Sequence, residues 1–246
     1  TQGVSSAASD VYKRQVMIGL IGGMSWESSA EYYRLLNRGV RAARGPTASA
    51  SCILWSFDFA EIERRQHAGD WEGLAALMVD AAERLDRAGA DVIALCTNTM
   101  HRLAPEIEAA VPGKLVHIAD PTGQRIADAG YKKVGLLGTA FTMEQEFYKG
   151  RLADRFGLDV IVPEAEDRAT VHRIIYQELV AGIVDDGSRA AYRAVMARLV
   201  EAGAEAVILG CTEIMLLVGP DDSSVPVFDT TAIHVDALVE AALASA

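Results

Sequence analysis

The chain has 246 residues, 50% of them hydrophobic, and a formal net charge of −11. That length allows one large core or two small domains. No run of about 18 or more apolar residues is free of charge, which argues against a membrane span, and the lack of a basic stripe argues against a nucleic-acid partner.

The first sixteen residues, "TQGVSSAASDVYKRQV", are small and polar, then basic, and lack the apolar core of a signal peptide. Residues 1–16 are therefore expected to be a non-native or disordered extension, with a native start at Met17. From there apolar strand-like runs alternate with helical stretches. "MIGLIGG" (17–23) reads as a strand ending in glycines and "SSAEYYRLLNRGVRAA" (28–43) as a helix. "SASCILWSFDF" (49–59) is a strand, "WEGLAALMVDAAERLDRAG" (71–89) an amphipathic helix with Gly89 at its end, and "ADVIALCTN" (90–98) a short buried strand. Such alternation predicts an α/β fold with mostly parallel sheets and helices on both faces.

The plan then repeats. Sliding 133–152 onto 17–36, a shift of 116, puts Gly135 on Gly19, Gly138 on Gly22 and Tyr148 on Tyr32. Sliding "RLVEAGAEAVILGCTE" (198–213) onto "RLDRAGADVIALCTNT" (84–99), a shift of 114, puts Arg198 on Arg84 and Ala202–Gly203–Ala204 on Ala88–Gly89–Ala90. Two blocks at nearly one shift imply an internal duplication into two pseudo-symmetric α/β domains. The first takes residues 17–118 and the returning segment 225–246; the second takes 119–224. In "LCTNTMH" the shift of 114 sets Thr97, not its neighbour Cys96, opposite Cys211.

Ligands bind open parallel sheets beyond the carboxyl ends of the strands. The site is therefore expected in the cleft between the two domains, with Thr97 on one side and Cys211 on the other. Neither the dinucleotide GxGxxG nor the GxxxxGK[ST] phosphate loop is present. Lys13, Lys114, Lys132, Lys133 and Lys149 all read as exposed, which argues against a pyridoxal Schiff base. Cys52, Cys96 and Cys211 form no disulfide framework, CxxC or cysteine–histidine zinc spacing; they are read as reduced, in a reducing, cytoplasmic compartment. Cys211 follows a strand and precedes a helix-like turn, where amides can lower a thiol pKa; the plainer alternative is a small buried hydrophobe. Cys52 reads as core, and Trp26, Trp55 and Trp71 fall in separate elements without basic interleaving, so they are no stacking platform.

The motifs "GGMSWESS", "CTNTMH", "TMEQEFY" and "GCTEI", in that order between Met17 and the C-terminus, resemble the aspartate/glutamate racemase superfamily. The likeness is strongest to the bacterial subgroup acting on L-aspartate and L-glutamate, also described as broad-specificity. Each motif is short; four in order are specific. The resemblance implies a cofactor-independent racemase without a metal, a small amino-acid substrate and a homodimer. Typical members carry a cysteine on each side of the substrate; here Thr97 stands where the first is expected, a departure the subgroup shares. By this resemblance Cys211, as thiolate, takes the α-proton of the L-substrate and Thr97 helps return one to the opposite face. A thiol suits the task because its ordinary pKa, about 8.5, makes both protonation states accessible near neutral pH. Asn98, Thr99 and Thr212 are expected to hold the α-carboxylate, with Met24 and Ser25 lining the pocket. Gln66 matches a subgroup substrate contact, and Thr139 and Thr142 are donors from the second domain. Arg168 is the candidate cation for a side-chain carboxylate, against the alternative of a solvated loop arginine. His101 and Glu213 are supporting candidates, while His234 and Asp229 read as structural. Competing readings are a lyase or isomerase of the same superfamily, of malonate decarboxylase or maleate isomerase type, and a catalytically silent amino-acid-binding protein.

Overall fold

A computed structural model describes residues 16–244, so the expected N-terminal extension, Val16 apart, lies outside the described residues. The first half runs β1 (Ile18–Gly22), α1 (Trp26–Arg44), β2 (Cys52–Ser56), α2 (Phe59–Ala68), α3 (Trp71–Arg87), β3 (Val92–Leu95) and α4 (Ala104–Ala110). After α5 (Ala119–Asp128) the plan recurs as β4 (Lys133–Gly138), α6 (Ala140–Glu144), α7 (Glu146–Phe156), β5 (Asp159–Ile161), α8 (Ala165–Gln177), α9 (Asp186–Glu201) and β6 (Ala206–Gly210). The chain closes with β7 (Val227–Asp229) and α10 (Thr230–Ala244).

Two parallel sheets result, ordered β2-β1-β3 and β5-β4-β6-β7. β1 and β6 are buried at every position because helices cover both faces of each sheet. Helix starts are set by short polar side chains: Ser25, Asp58, Asp70, Thr139 and Asp185 each accept an amide of the first turn. The repeat has a packing cause. A Cβ on Gly19 would meet Leu85 at 3.1 Å, and one on Gly135 would meet Leu199 at 2.9 Å. Leu85 and Leu199 are themselves repeat partners, so each half presses a helix leucine onto a bare strand backbone.

The halves exchange helices. α10 lays Val235, Leu238 and Ala242 against Tyr32 and Leu36 of α1, while Ile118, Ala119 and Ile126, at and within α5, pack with Tyr148 and Leu152 of α7. The two helices that follow the fourth strand positions thus each cap the opposite half. The segment 225–244 returns to the first half only through this helix. Its strand, β7, joins the second sheet, pairing Val207 with Val227 and Leu209 with Asp229. The free edge of β6 needs a hydrogen-bonding partner; in the first sheet the same edge of β3 is served by a short bridge, with Ile93 donating to the Lys114 carbonyl at 2.8 Å and accepting from Val116 at 2.9 Å.

Candidate active site

The carboxyl ends of β1, β3, β4 and β6 converge on a narrow cleft. Its inner end is lined by Met24, Thr97, Asn98 and Thr99 from the first half and by Thr139, Cys211 and Glu213 from the second. Its outer wall is made by Phe59 and Gln66 of α2 facing Ile175 and Tyr176 of α8 and Val180 beyond it.

Each residue reaches this place for a local reason. Gly23 has φ +81, and a Cβ there would meet the Phe57 carbonyl oxygen at 2.2 Å. Only glycine fits this turn, and the turn delivers Met24 and Ser25 to the cleft. Beyond β3 the side chains of Cys96 and Thr97 diverge. Cys96 is 0% exposed among Ile18, Leu20 and Tyr32, and burial pushes its thiol pKa well up. Thr97 and Cys211 are each 8% exposed and both line the cleft.

Around Cys211 the polar groups form one chain. Its thiol donates to Glu213 Oε2 at 2.9 Å, the Thr212 hydroxyl donates to the same oxygen at 2.9 Å, and Ser25, crossing from the first half, donates to Glu213 Oε1 at 2.8 Å. Burial raises the thiol pKa well above its ordinary value; the charge of Glu213 and the hydrogen bond to it add to this. The amides of Glu213 and Thr212 pull the other way and lose. The expectation that strand-end amides lower this pKa is therefore corrected. Desolvation outweighs them, so the resting group is a thiol, hydrogen-bonded to Glu213.

Opposite, the polar groups are neutral. Thr99 Oγ1 lies 3.0 Å from Thr139 Oγ1 and 3.5 Å from Thr142 Oγ1. Asn98 Nδ2 donates to Thr230 Oγ1 at 3.1 Å, and that hydroxyl donates on to the Leu209 carbonyl. The Asn98 side-chain oxygen Oδ1, buried, has no hydrogen-bond partner, an acceptor that a bound N–H can satisfy. Behind Thr97, His101 Nδ1 donates to the Thr97 carbonyl at 2.8 Å while its Nε2 accepts from the Ile118 amide at 3.1 Å. The ring is neutral, as burial and the neighbouring His117 and His234 dictate.

Of the residues picked from the sequence, Thr97, Cys211, Met24, Gln66, Asn98, Thr99 and Thr139 line the cleft. Ser25, Thr142 and Thr212 stand just behind, bonded to residues that do. Arg168 does not line it: Glu144 Oε1 at 3.0 Å and the Pro163 carbonyl at 2.8 Å hold it at the start of α8. Phe59, Ile175, Tyr176 and Val180 went unnoticed. Their apolar character marks only a core-facing helix side, and which sides meet across a cleft is decided by the docking of the two halves.

The model of the Asp/Glu/hydantoin racemase family matches residues 21–238. The chain is 27% identical over 178 residues to the broad-specificity amino-acid racemase RacX of Bacillus subtilis (strain 168), covering 71% of this chain and 75% of that one. Among solved structures it resembles an Asp/Glu racemase candidate from Yersinia pestis, at 54% identity and a TM-score of 0.86 over 93% of this chain and 99% of that one. It also resembles an aspartate racemase homologue from Pyrococcus horikoshii, at 36% identity and a TM-score of 0.79 over 92% and 98%.

Proposed function

The chain belongs to the Asp/Glu/hydantoin racemase family, and on that premise we propose that it racemises an amino acid by cofactor-independent proton transfer, with Cys211 as base and Thr97 on the opposite face. The observation that carries the reading is the thiol–carboxylate pair of Cys211 and Glu213, set in the same cleft as a hydroxyl from the repeat-related position. The α-ammonium of the substrate meets the unpartnered Oδ1 of Asn98, and its α-carboxylate meets the hydroxyls of Thr99 and Thr139. Glu213 takes the thiol proton and the thiolate takes the α-proton. The resulting carbanion is protonated from the other side by the Thr97 hydroxyl; Thr97 regains a proton from the solvent, to which Glu213 releases the one it took. A homodimeric assembly and a cytoplasmic setting accompany the proposal on the strength of the motifs. The preference for L-aspartate or L-glutamate expected from the motifs is not part of the proposal, because among the described residues no lysine or arginine lines the cleft.

The test is incubation with single L-amino acids in D₂O, following the α-proton by NMR and the enantiomer by chiral separation. Loss of the α-proton with appearance of the D-form is expected for at least one amino acid. Binding without exchange would support the silent binding protein, and release of carbon dioxide would support the decarboxylase type.

A further inference from the structure

The racemase reading leaves the side chain of the substrate open, and the outer wall of the cleft addresses it. Resting on that reading, we infer that the preferred substrate has an uncharged side chain ending in a carboxamide or hydroxyl, selected by Gln66 and Tyr176.

Gln66 comes from the first half and Tyr176 from the second, and the phenol donates to Gln66 Oε1 at 3.2 Å. The pair therefore spans the two halves. The Gln66 amide nitrogen carries two N–H groups, and its bonded partner is the sulfur of Met100 at 3.1 Å. A thioether is a weak acceptor, so this buried amide has donor capacity to spare. The phenol oxygen, having given its proton to Gln66, keeps its lone pairs. Donor and acceptor thus stand side by side, flanked by Phe59, Ile175 and Val180. A carboxamide answers both, its oxygen to Gln66 and its N–H to Tyr176; a hydroxyl does the same with one atom.

A second carboxylate fits this wall poorly. Among the described residues no lysine or arginine lines the cleft, and the carboxylic acid in its lining is Glu213. Arginines on the neighbouring elements are engaged elsewhere. Arg65 pairs with Glu61 and Asp70, Arg102 lies over Trp71 and bonds Gln145, Arg173 pairs with Glu178, and Arg168 pairs with Glu144. A dicarboxylic substrate would lose water around its side-chain charge and gain one neutral amide donor in return, which does not offset desolvation. The corresponding amide loses far less and makes two hydrogen bonds.

Isosteric pairs isolate the effect: L-glutamine against L-glutamate and L-asparagine against L-aspartate, with kcat/KM for α-proton exchange measured in D₂O on the full chain. The expected result is a preference of about tenfold or more for the amide of at least one pair. Gln66→Met, which keeps the shape and removes the donor, should erase that preference, and Gln66→Arg should turn it toward the acid. Tyr176→Phe should raise KM for the amide with little change in kcat. Wild-type protein that turns over the acids as well as or better than the amides overturns this inference and leaves the racemase reading intact. Exchange with no amino acid overturns the racemase reading, and this inference with it.

Discussion

Residues 97–99 and 211–213 occupy equivalent places in the two halves, 114 positions apart, and carry different chemistry. In both, a hydroxyl at the start of the helix after the first strand crosses to the other half. Thr139, capping α6, reaches Thr99; Ser25, capping α1, reaches Glu213, the repeat partner of Thr99. The backbone plan is shared while all three side chains differ, and the third residue of each trio sets the company of the first. On the first side it closes a ring of threonine hydroxyls, which can donate or relay a proton. On the second it is a carboxylate bonded to a thiol, which can accept one. Duplication supplied two equivalent seats, and the different side chains in them suit one side to the proposed base and the other to the proposed donor.

The comparison breaks most decisively at Cys211. Cys211→Ala should lower kcat for α-proton exchange by about 10³-fold, the usual weight of a positioned base, while Cys96→Ala, whose side chain lies in the core beside Tyr32, should retain most activity. If the two variants exchanged these outcomes, the assignment of sides would be wrong. Glu213→Gln comes next, at about 10²-fold in kcat. The sign of its pH effect follows from the cause of the raised thiol pKa. The charge and hydrogen bond of Glu213 both hold the proton on sulfur, so removing the charge lowers that pKa. The rise of kcat with pH should begin at lower pH, toward the ordinary thiol value of about 8.5, but reach a lower plateau. A pH–rate profile that kept its midpoint would sever Glu213 from Cys211.

The third expectation concerns what braces each side. His101, which holds the Thr97 carbonyl, has Met215 as its repeat partner, so the histidine cluster belongs to the first side alone. Burial lowers the pKa of His117 to about 2 and of His234 to about 4, and drives that of His101 well down. An unfolded histidine titrates near 6.5. Below that pH the unfolded chain takes up protons that the folded chain refuses, so stability falls as pH drops, and for His234 the loss continues to about pH 4. Each histidine contributes about 1.4 kcal/mol per pH unit in this window. Urea midpoints at pH 7, 6 and 5 should decline stepwise; a constant midpoint would mean the three rings are not held neutral.

Much of this was legible in the sequence. The strand and helix alternation, the duplication and the seating of Thr97 rather than Cys96 opposite Cys211 follow from local period and a fixed shift. Three features did not. β7 serves whichever sheet has an open edge at that place, and a three-residue strand carries no signal of its destination. Tyr176 and Ile175 sit on a helix whose cleft-facing side is set by how the halves dock. The state of Cys211 depends on burial and on Glu213, two residues away, where the strand-end position alone suggested amides and a lowered pKa. Arg168 misled for a related reason: an arginine beside acidic residues reads the same whether it faces a substrate or, as here, the carboxylate of Glu144.

The smallest expected effect is also the most direct test of the asymmetry. Thr97→Cys places a thiol on both sides and so restores the symmetry of the duplicated plan. It should not create a full second base, because no carboxylate stands at Thr99 to take the new proton. Thr97 lines the cleft beside Asn98 and Thr99 with no carboxylate bonded to it, whereas Cys96 is 0% exposed in the core, so a thiol at 97 ionises more readily than Cys96 does. Exchange starting from the D-enantiomer should therefore rise by about threefold to tenfold, with exchange from the L-enantiomer little changed. Adding Thr99→Glu to that variant supplies the missing acceptor and should bring the two directions closer still. If Thr97→Cys accelerated the L-direction instead, the base and donor faces would have to be interchanged.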